Sequence, residues 1–451
     1  MKKSIILFLT ICTLVAIVSC RPKETPVTPE TALERYLNNG DRTFSWEIKE
    51  NFEEGNMKVA ILKLTSQKWR EYTWVHQLTV VTPDEVKHNC ALLFITGGSL
   101  KDGEPRWKGR NDNLLGMLSA IAQRNKAVIA VISQVPNQPL YDTLTEDALI
   151  SFTLHNYKQD KDYSWPLLFP MVKSAVRAMD AVTDFCKKEH GAEINEFVLS
   201  GASKRGWTTW LTGSQDKRVV AIAPMVIDVL NMPVNIAYQK EVWGDYSAEI
   251  EDYVRLGIAQ DLSTSEGQEL VAMIDPYSYR DKLTMPKMIF IGTNDPYWPV
   301  DAVKNYINEI PGENYIHYVP NAGHDLGDGR QAINALNAFF GTIINHLPHP
   351  SCEWEVKYDT LFAELTVKAS QGLKSARLWM CDSPDRDFRN DTFVVKNIEY
   401  QDISNIKTRV YYPEAGFRAF YIDLEYPSPS GGEYTKSTRM FVCSNRELFL
   451  N

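Results

Sequence analysis

The chain has 451 residues, of which 44% are hydrophobic and 23% are charged. These fractions are typical of a globular protein, because a disordered chain would contain fewer apolar residues and a protein with many membrane spans would contain more. The formal net charge of −9 argues against a nucleic-acid binder that relies on a basic surface. The cysteines and histidines form no CxxC, HxxxH or HExxH spacing, and there is no P-loop or GxGxxG motif, so neither a metal nor a cofactor is expected.

Residues 1–20 have the pattern of an export signal. Two lysines precede an apolar run from Ser4 to Val18, which is too short for a comfortable membrane span. The run ends in a small residue followed by Cys20, which resembles a bacterial lipobox, where the cysteine thiol accepts a diacylglycerol. We therefore expect an exported bacterial lipoprotein of the cell envelope, and an ordinary signal peptide is the alternative. Residues 21–30 contain three prolines and are expected to form a flexible tether.

The chain after the tether predicts a mostly parallel sheet. A short helix is expected near Thr31, and alternating residues at 58–64 and 74–80 predict antiparallel strands. From residue 90 onwards, continuous apolar runs alternate with amphipathic helices, which indicates a buried sheet with helices on both faces. The predicted strands of this sheet are 90–95, 127–132, 196–200, 219–223, 287–292 and 315–319. The predicted helices are 114–124, 167–188 and 329–344.

Two regions depart from this alternation. The stretch 225–285 lies between two predicted strands, is rich in aromatic residues and has mixed helical character, so it is expected to form a cap. Prolines at 348 and 350 mark a boundary, beyond which short strands are separated by turn residues. That pattern predicts a small C-terminal β-sandwich over 351–451, next to an α/β domain over 31–347.

The sharpest motif is the segment Gly201-Ala-Ser-Lys-Arg-Gly206, which lies between a predicted strand and a predicted helix. In α/β-hydrolases the nucleophilic serine occupies a sharp strand-to-helix turn in strained backbone geometry, and small neighbours are needed because the turn crowds the strand against the helix. Gly201 stands two residues before Ser203, but Arg205 occupies the usual place of the second glycine and Gly206 follows one residue later. The motif is therefore GxSxxG, and a plain turn is the alternative.

The order of further residues supports a catalytic triad. In this fold the nucleophile is followed along the chain by an acid and then by a histidine. Asp295 and His324 follow successive predicted strands and come after Ser203 in that order. A serine needs an imidazole to take its proton during attack, and a carboxylate would hold the imidazole in the correct tautomer. Asp228, which follows another predicted strand, is the alternative acid.

An oxyanion hole requires two backbone donors aimed at the developing negative charge. The N–H of Lys204, directly after the candidate nucleophile, would supply one of them. The other is expected in the loop after strand 90–95, where Gly97 and Gly98 would let the backbone approach a substrate closely. An ordinary turn is the alternative for these two glycines.

Residues next to the triad predict features of the substrate. The positive charges of Lys204 and Arg205 would favour a substrate that carries a carboxylate, although basic residues are also common at a solvated helix start. Tyr297 and Trp298 follow the candidate acid and are candidate substrate-binding residues, which in an esterase would receive a sugar acid.

Several segments resemble one protein family, the PhoPQ-activated pathogenicity-related proteins. They are GASKRGWTTW at 201–210, GTNDPYW at 292–298, NAGHDL at 321–326, the insertion with Asp228-Val-Leu-Asn231, and LWMCDSPDRDFR at 378–389. The resemblance extends from about residue 30 to the C-terminus. It implies an α/β-hydrolase fold and a secreted or envelope serine hydrolase, with links to peptide cleavage and to tolerance of antimicrobial peptides. Eukaryotic relatives of the family include a secreted proliferation repressor.

The sequence therefore predicts a serine hydrolase that cleaves a peptide or a small ester and is attached to a lipid bilayer through Cys20. The oligomeric state is left open. One alternative is a non-catalytic binding or signalling protein with the same fold. Another is a carbohydrate esterase, because the GxSxxG spacing with a following basic residue is similar to that of glucuronoyl esterases, where the basic residue is Arg and not Lys.

Overall fold

The computed structural model describes residues 26–450, so the predicted signal segment, Cys20 and part of the predicted tether lie outside the described residues. The strands are β1 (Ser45–Glu54), β2 (Met57–Trp69), β3 (Tyr72–Pro83), β4 (Cys90–Ile95), β5 (Leu100–Lys101), β6 (Glu104–Pro105), β7 (Ile129–Ile132), β8 (Glu196–Ala202), β9 (Val219–Met225), β10 (Lys287–Gly292), β11 (Asn314–Val319), β12 (Cys352–Tyr358), β13 (Phe362–Ala369), β14 (Ser375–Ser383), β15 (Val394–Asn397), β16 (Ile406–Tyr411), β17 (Phe417–Pro427), β18 (Glu433–Ser437), β19 (Phe441–Ser444) and β20 (Leu448–Phe449). The helices are α1 (Pro29–Leu37), α2 (Asn113–Asn125), α3 (Glu146–Asp160), α4 (Leu168–Phe185), α5 (Lys204–Gln215), α6 (Met232–Trp243), α7 (Glu251–Arg255), α8 (Ile258–Asp261), α9 (Ser265–Ile274) and α10 (Arg330–Ile344).

One long mixed sheet organises the described part of the chain. Its order is β1-β2-β3-β7-β4-β8-β9-β10-β11-β18-β17-β14-β15, with β19 paired to β17. The centre, from β7 through β4, β8, β9 and β10 to β11, is parallel. The first three strands are antiparallel and adjoin β7. This is the α/β-hydrolase arrangement that the sequence predicts.

The central strands are apolar on both sides because helices cover both faces of the sheet. All six residues of β4 are buried. Leu93 and Ile95 belong to a cluster that contains the buried faces of α4 and α5. Leu92 and Phe94 point the other way, into a cluster that contains α2 and α10. Continuous apolar runs in the sequence therefore identified these strands correctly.

Helix α3 and strand β1 were not predicted from the sequence. Strand β1 carries alternating charged residues and is mostly exposed, as befits an edge strand. Helix α3 contacts α7 and α8 of the cap. Its buried residues include the polar Ser151 and Thr153 beside Leu149, Ile150, Leu154 and Tyr157, while Phe152 is only partly buried. Apolar residues therefore mark the buried face of this helix incompletely, and a local search for apolar periodicity does not detect it.

The C-terminal strands continue the central sheet instead of forming a body of their own. Strand β18 pairs antiparallel with β11, and β17, β14 and β15 follow it outward. A second sheet of β12, β13 and β16 packs over this extension, and Leu365 and Val367 share a buried cluster with Leu378 and Ile422. The two layers resemble the predicted sandwich, but one layer extends across the boundary at 348–350. The sequence contains no signal for pairing between strands more than a hundred residues apart.

The insertion at 225–285 is helical, as predicted. It contains α6, α7, α8 and α9, together with short 3-10 segments, and connects β9 to β10. Within residues 26–450, no helix is both long enough and apolar enough to cross a membrane.

The junction between β11 and the C-terminal strands generates a pH prediction. Ser437 accepts a hydrogen bond from the Tyr318 N–H (3.1 Å) and donates one to Asp423 Oδ1 (2.5 Å). Burial raises the pKa of the Asp423 carboxyl from 3.8 to about 7. Between pH 3.8 and about 7, the folded protein keeps the Asp423 carboxyl protonated, whereas the unfolded chain has lost that proton. This group therefore makes the free energy of unfolding fall as pH rises through that range, by at most about 1.4 kcal/mol per pH unit.

We expect Asp423→Asn, which cannot titrate, to remove this contribution. Urea unfolding of both proteins should show the variant gaining stability relative to wild type as pH rises from about 4 to about 7. If the difference in the free energy of unfolding between wild type and Asp423→Asn does not change with pH, the raised pKa of Asp423 is contradicted.

Candidate active site

Ser203 occupies a strained turn between β8 and α5. Its backbone has φ 58° and ψ −126°, a conformation that a non-glycine residue rarely adopts and that the surrounding structure must enforce. The Ser203 N–H donates to the Met225 carbonyl of the neighbouring strand (2.9 Å). A Cβ at Gly201 would lie 2.9 Å from the Arg205 carbonyl, and one at Gly206 would lie 2.9 Å from the Met225 carbonyl. Both glycines of the GxSxxG motif are therefore required by the turn.

Asp295 and His324 are hydrogen-bonded to each other in the loops after β10 and β11. His324 Nδ1 lies 2.8 Å from Asp295 Oδ2 and 3.1 Å from Oδ1. A carboxylate only accepts, so Nδ1 carries the proton and Nε2 is left as an acceptor. The Tyr297 N–H also donates to Asp295 Oδ1 (2.9 Å), and the Tyr297 ring stacks on the imidazole with centroids 4.1 Å apart. These contacts fix both the tautomer and the orientation of His324.

Ser203 and His324 line the same cavity. His324 Nε2 is buried and has no hydrogen-bond partner within residues 26–450. No hydrogen bond joins it to Ser203, which is common in free enzymes, since catalytic hydrogen bonds often tighten only when a substrate is bound. Tyr297 and Trp298 also line the cavity, next to the imidazole. The structure thus brings together Ser203, Asp295, His324, Tyr297 and Trp298.

The basic residues after Ser203 are both neutralised. Lys204 Nζ lies 2.6 Å from Asp147 Oδ2. Arg205 forms a paired contact with Glu146, 2.8 Å from Nη1 to Oε2 and 2.6 Å from Nη2 to Oε1. Each basic side chain is nine-tenths buried. Both positive charges are therefore compensated by neighbouring acids, so these contacts do not support the predicted preference for a substrate carboxylate, and the alternative of a solvated helix start does not apply to these buried side chains.

Glu146 and Asp147 begin helix α3, and sequence reasoning missed them. They lie 59 and 57 positions before their basic partners, a separation at which no local pattern links the residues. Tyr253 of α7 donates a hydrogen bond to Asp147 Oδ1 (2.9 Å), which connects the pair to the cap. The two consecutive acids pair with the two consecutive bases in reverse order, Glu146 with Arg205 and Asp147 with Lys204.

Gly97 and Gly98 are placed against other protein groups. A Cβ at Gly97 would lie 2.6 Å from an Arg205 guanidinium nitrogen, and one at Gly98 would lie 2.9 Å from the side chain of Gln134. The Gly97 carbonyl accepts from the Gln134 N–H (3.1 Å). Neither glycine is among the residues that line the cavity with Ser203, whereas Lys204 is. The absence of side chains at Gly97 and Gly98 makes room for the side chains of Arg205 and Gln134.

Asp228, the alternative acid, does not contact His324. Its Oδ1 accepts a hydrogen bond from the Tyr306 hydroxyl (2.5 Å). Burial raises the pKa of Asp228 to about 7, although the bond from Tyr306 lowers it. A carboxyl in this environment serves the packing under the cap and not the orientation of the imidazole.

Residues 26–450 contain no group of three or more His, Cys, Asp or Glu side chains arranged to hold a metal ion. The five cysteines in this range are free.

The chain matches the family model of the PhoPQ-activated pathogenicity-related proteins over residues 33–389. It belongs to this family. It is also similar to autocrine proliferation repressor protein A of Dictyostelium discoideum, with 31% identity over 432 residues, covering 88% of this chain and 86% of that protein.

Two similar solved structures are acetyl xylan esterases. That of Thermoanaerobacterium sp. JW/SL YS485 is 18% identical, covers 71% of this chain and 95% of its own, and has a TM-score of 0.49. That of Paenibacillus sp. R4 is 13% identical, covers 72% of this chain and 97% of its own, and has a TM-score of 0.48.

The family match ends within a C-terminal segment that holds the acid and histidine loops. Asn294 Nδ2 donates to the carbonyls of Phe388 (2.9 Å) and Asp391 (2.8 Å). Asn321 Nδ2 donates to the Phe393 carbonyl (3.0 Å), and the Phe393 N–H donates back to Asn321 Oδ1 (2.7 Å). Each loop is thereby also held by the main chain of residues 388–393.

The choice between the two candidate acids can be tested through the reactivity of Ser203. We expect Asp295→Asn to slow the reaction of Ser203 with a fluorophosphonate probe by orders of magnitude, because an amide favours the wrong imidazole tautomer. The corresponding change in a serine protease lowers kcat by a factor of about 10⁴. Asp228→Asn is the matched control and should have a much smaller effect. If Asp228→Asn slows labelling more, the acid has been assigned wrongly.

Proposed function

We propose that this protein is a serine esterase that works through a covalent acyl-enzyme, with Ser203 as nucleophile, His324 as general base and Asp295 as the residue that orients the imidazole. The observation that carries the proposal is the meeting of a strained serine and an unpartnered imidazole nitrogen at one cavity. Strain and an unsatisfied buried polar atom are both costly, and they tend to occur together at reaction sites.

The residues perform the reaction in two halves. His324 Nε2 takes the Ser203 Oγ proton while Oγ attacks the ester carbonyl carbon. Asp295 stabilises the imidazolium that forms, and the Lys204 N–H at the start of α5 donates to the oxyanion. The imidazolium then protonates the leaving alcohol, and the acyl group stays on Oγ. In the second half, His324 removes a proton from water as the water oxygen attacks the acyl carbon. The imidazolium then returns this proton to Ser203 Oγ as the bond between the acyl carbon and Oγ breaks and the acid leaves.

The pairing of the basic residues favours a general esterase over a glucuronoyl-like one. A sugar acid would need an uncompensated cation, and the two basic residues that follow Ser203 in the chain are bound to Asp147 and Glu146. Peptide cleavage uses the same triad, so amide substrates are the second class to test.

The experiment compares hydrolysis of p-nitrophenyl butyrate with that of peptide anilides. We expect ester hydrolysis that falls by at least about 10³ in Ser203→Ala. Ser200→Ala is the matched control, because Ser200 is buried in β8 and its hydroxyl donates to the Ala223 carbonyl (2.7 Å). Faster cleavage of amides would point to a peptidase. A folded protein whose Ser203 neither reacts with a fluorophosphonate nor supports hydrolysis would be a binding protein instead.

We also propose that the protein is an exported lipoprotein attached to the cell envelope through Cys20. The support is the signal-like segment and its terminal cysteine. The acyl chains would provide the attachment, since a net negative charge of −9 is not attracted to anionic lipid.

We expect Cys20→Ala to abolish incorporation of a fatty-acid label in a bacterial host, because the thiol is the acyl acceptor. Cys12→Ala is the control and should remain labelled, since Cys12 lies inside the apolar run of the signal segment. Persistent labelling of Cys20→Ala would refute the anchor.

A further inference from the structure

The cavity beside Ser203 has an almost entirely apolar wall. The wall is formed by the start of α6, by α8 and by residues near the ends of α5 and α9, and it includes Trp207, Met232, Ile236, Ile258, Leu262 and Ile274. None of these six side chains has more than a tenth of its surface exposed. A site of this kind gains free energy from apolar groups and offers few partners to polar ones.

The one acid and the one lysine that line the cavity neutralise each other. Besides His324, its ionisable lining includes Lys204 and Asp147, which are 2.6 Å apart. Asp147 Oδ1 also accepts a hydrogen bond from the Tyr253 hydroxyl, so the second carboxylate oxygen has a partner as well. A carboxylate placed in this cavity would lose its hydration without gaining a free cation, and a buried unpaired charge is strongly unfavourable.

The position of His324 indicates which half of an ester the cavity receives. The imidazole must protonate the leaving alcohol, so the alcohol lies on the side of His324. Nε2, the atom that transfers this proton, is buried, although the side chain as a whole retains 23% of its exposure. The apolar wall is closed to solvent, and the acyl group, which stays on Ser203 after the alcohol has left, is the half of the ester that we assign to this wall.

The volume of the cavity limits the length of the acyl group. The space open to the centre of a water molecule is about 60 Å³. That is several times the volume of one water-sized probe, about 10–15 Å³, so the cavity admits an acyl chain of short to medium length and not a long one.

Resting on the proposed esterase activity, we propose that the cap cavity is an acyl-binding site that selects uncharged, apolar acyl groups of short to medium length. The substrate class is then an ester of a short aliphatic or small aromatic acid, and not an ester of a dicarboxylic or sugar acid.

The first experiment varies the acyl group and keeps the p-nitrophenol leaving group. We expect kcat/KM to rise about fourfold for each methylene from acetate to butyrate, to be highest near hexanoate, and to fall at dodecanoate, which is too long. The monoadipate ester has the length of hexanoate with a terminal carboxylate, and it should be at least about tenfold poorer.

Two variants test the wall and the charges separately. Ala259→Phe fills part of the cavity and should lower the hexanoate-to-acetate ratio about tenfold, whereas Val234→Trp, at an exposed position of α6, should leave it unchanged. Asp147→Asn frees the charge of Lys204 and should raise the monoadipate-to-hexanoate ratio about tenfold. Glu146→Gln is its control, because Glu146 pairs with Arg205, which does not line the cavity.

The results separate this inference from the proposed function. If no ester is cleaved and Ser203 does not react with a fluorophosphonate, the esterase proposal itself fails. If cleavage depends on Ser203 but is insensitive to acyl length, or if monoadipate matches hexanoate, the acyl-site proposal alone is overturned. A rate that follows the length of the alcohol in a series of alkyl acetates, and not that of the acyl chain, would assign the cavity to the leaving group and would also overturn it.

Discussion

The turn at Ser203 can form only because two neighbouring positions lack a side chain. Gly201 allows β8 to contact the first turn of α5, and Gly206 allows that turn to lie on the end of β9 beside the Met225 carbonyl and Ile227. The Ser203 N–H is held by the same carbonyl, so the strained φ and ψ angles are maintained by the sheet and not by the helix alone. The shift of the second glycine by one place, from GxSxG to GxSxxG, follows from this packing, since the crowded position is the one that faces β9.

The same turn requires compensation of its basic residues. Lys204 and Arg205 enter the interior as soon as α5 begins, and an unpaired buried charge would cost several kcal/mol. Helix α3 supplies Glu146 and Asp147 at its first turn, where negative charge is also favoured by the helix dipole. Asp147 is in turn bonded to Tyr253 of the cap. Charge neutralisation therefore links the nucleophile turn, α3 and the cap, and it leaves the cavity without net charge from this pair.

The sequence predicted most of the central sheet, because buried parallel strands are continuous apolar runs that can be recognised locally. It also placed Asp295 and His324 in the loops where the structure brings them into contact, since chain order and strand ends determine which loops meet. It did not predict that Arg205 would be paired with Glu146 or that β18 would extend the sheet from β11. Those features depend on contacts between residues tens to more than a hundred positions apart, for which a single sequence has no local signal.

The extension of the sheet bears directly on the candidate site. Asp295 and His324 lie on loops that emerge from adjacent parallel strands, so the strands set their spacing at one end only. Asn294 and Asn321 attach the other side of these loops to the main chain of 388–393. That segment lies between β14 and β15, which belong to the same sheet through β17 and β18. The geometry of the acid and the imidazole is therefore determined from both sides by one continuous sheet, and the C-terminal strands are part of the scaffold of the site instead of a separate appendage.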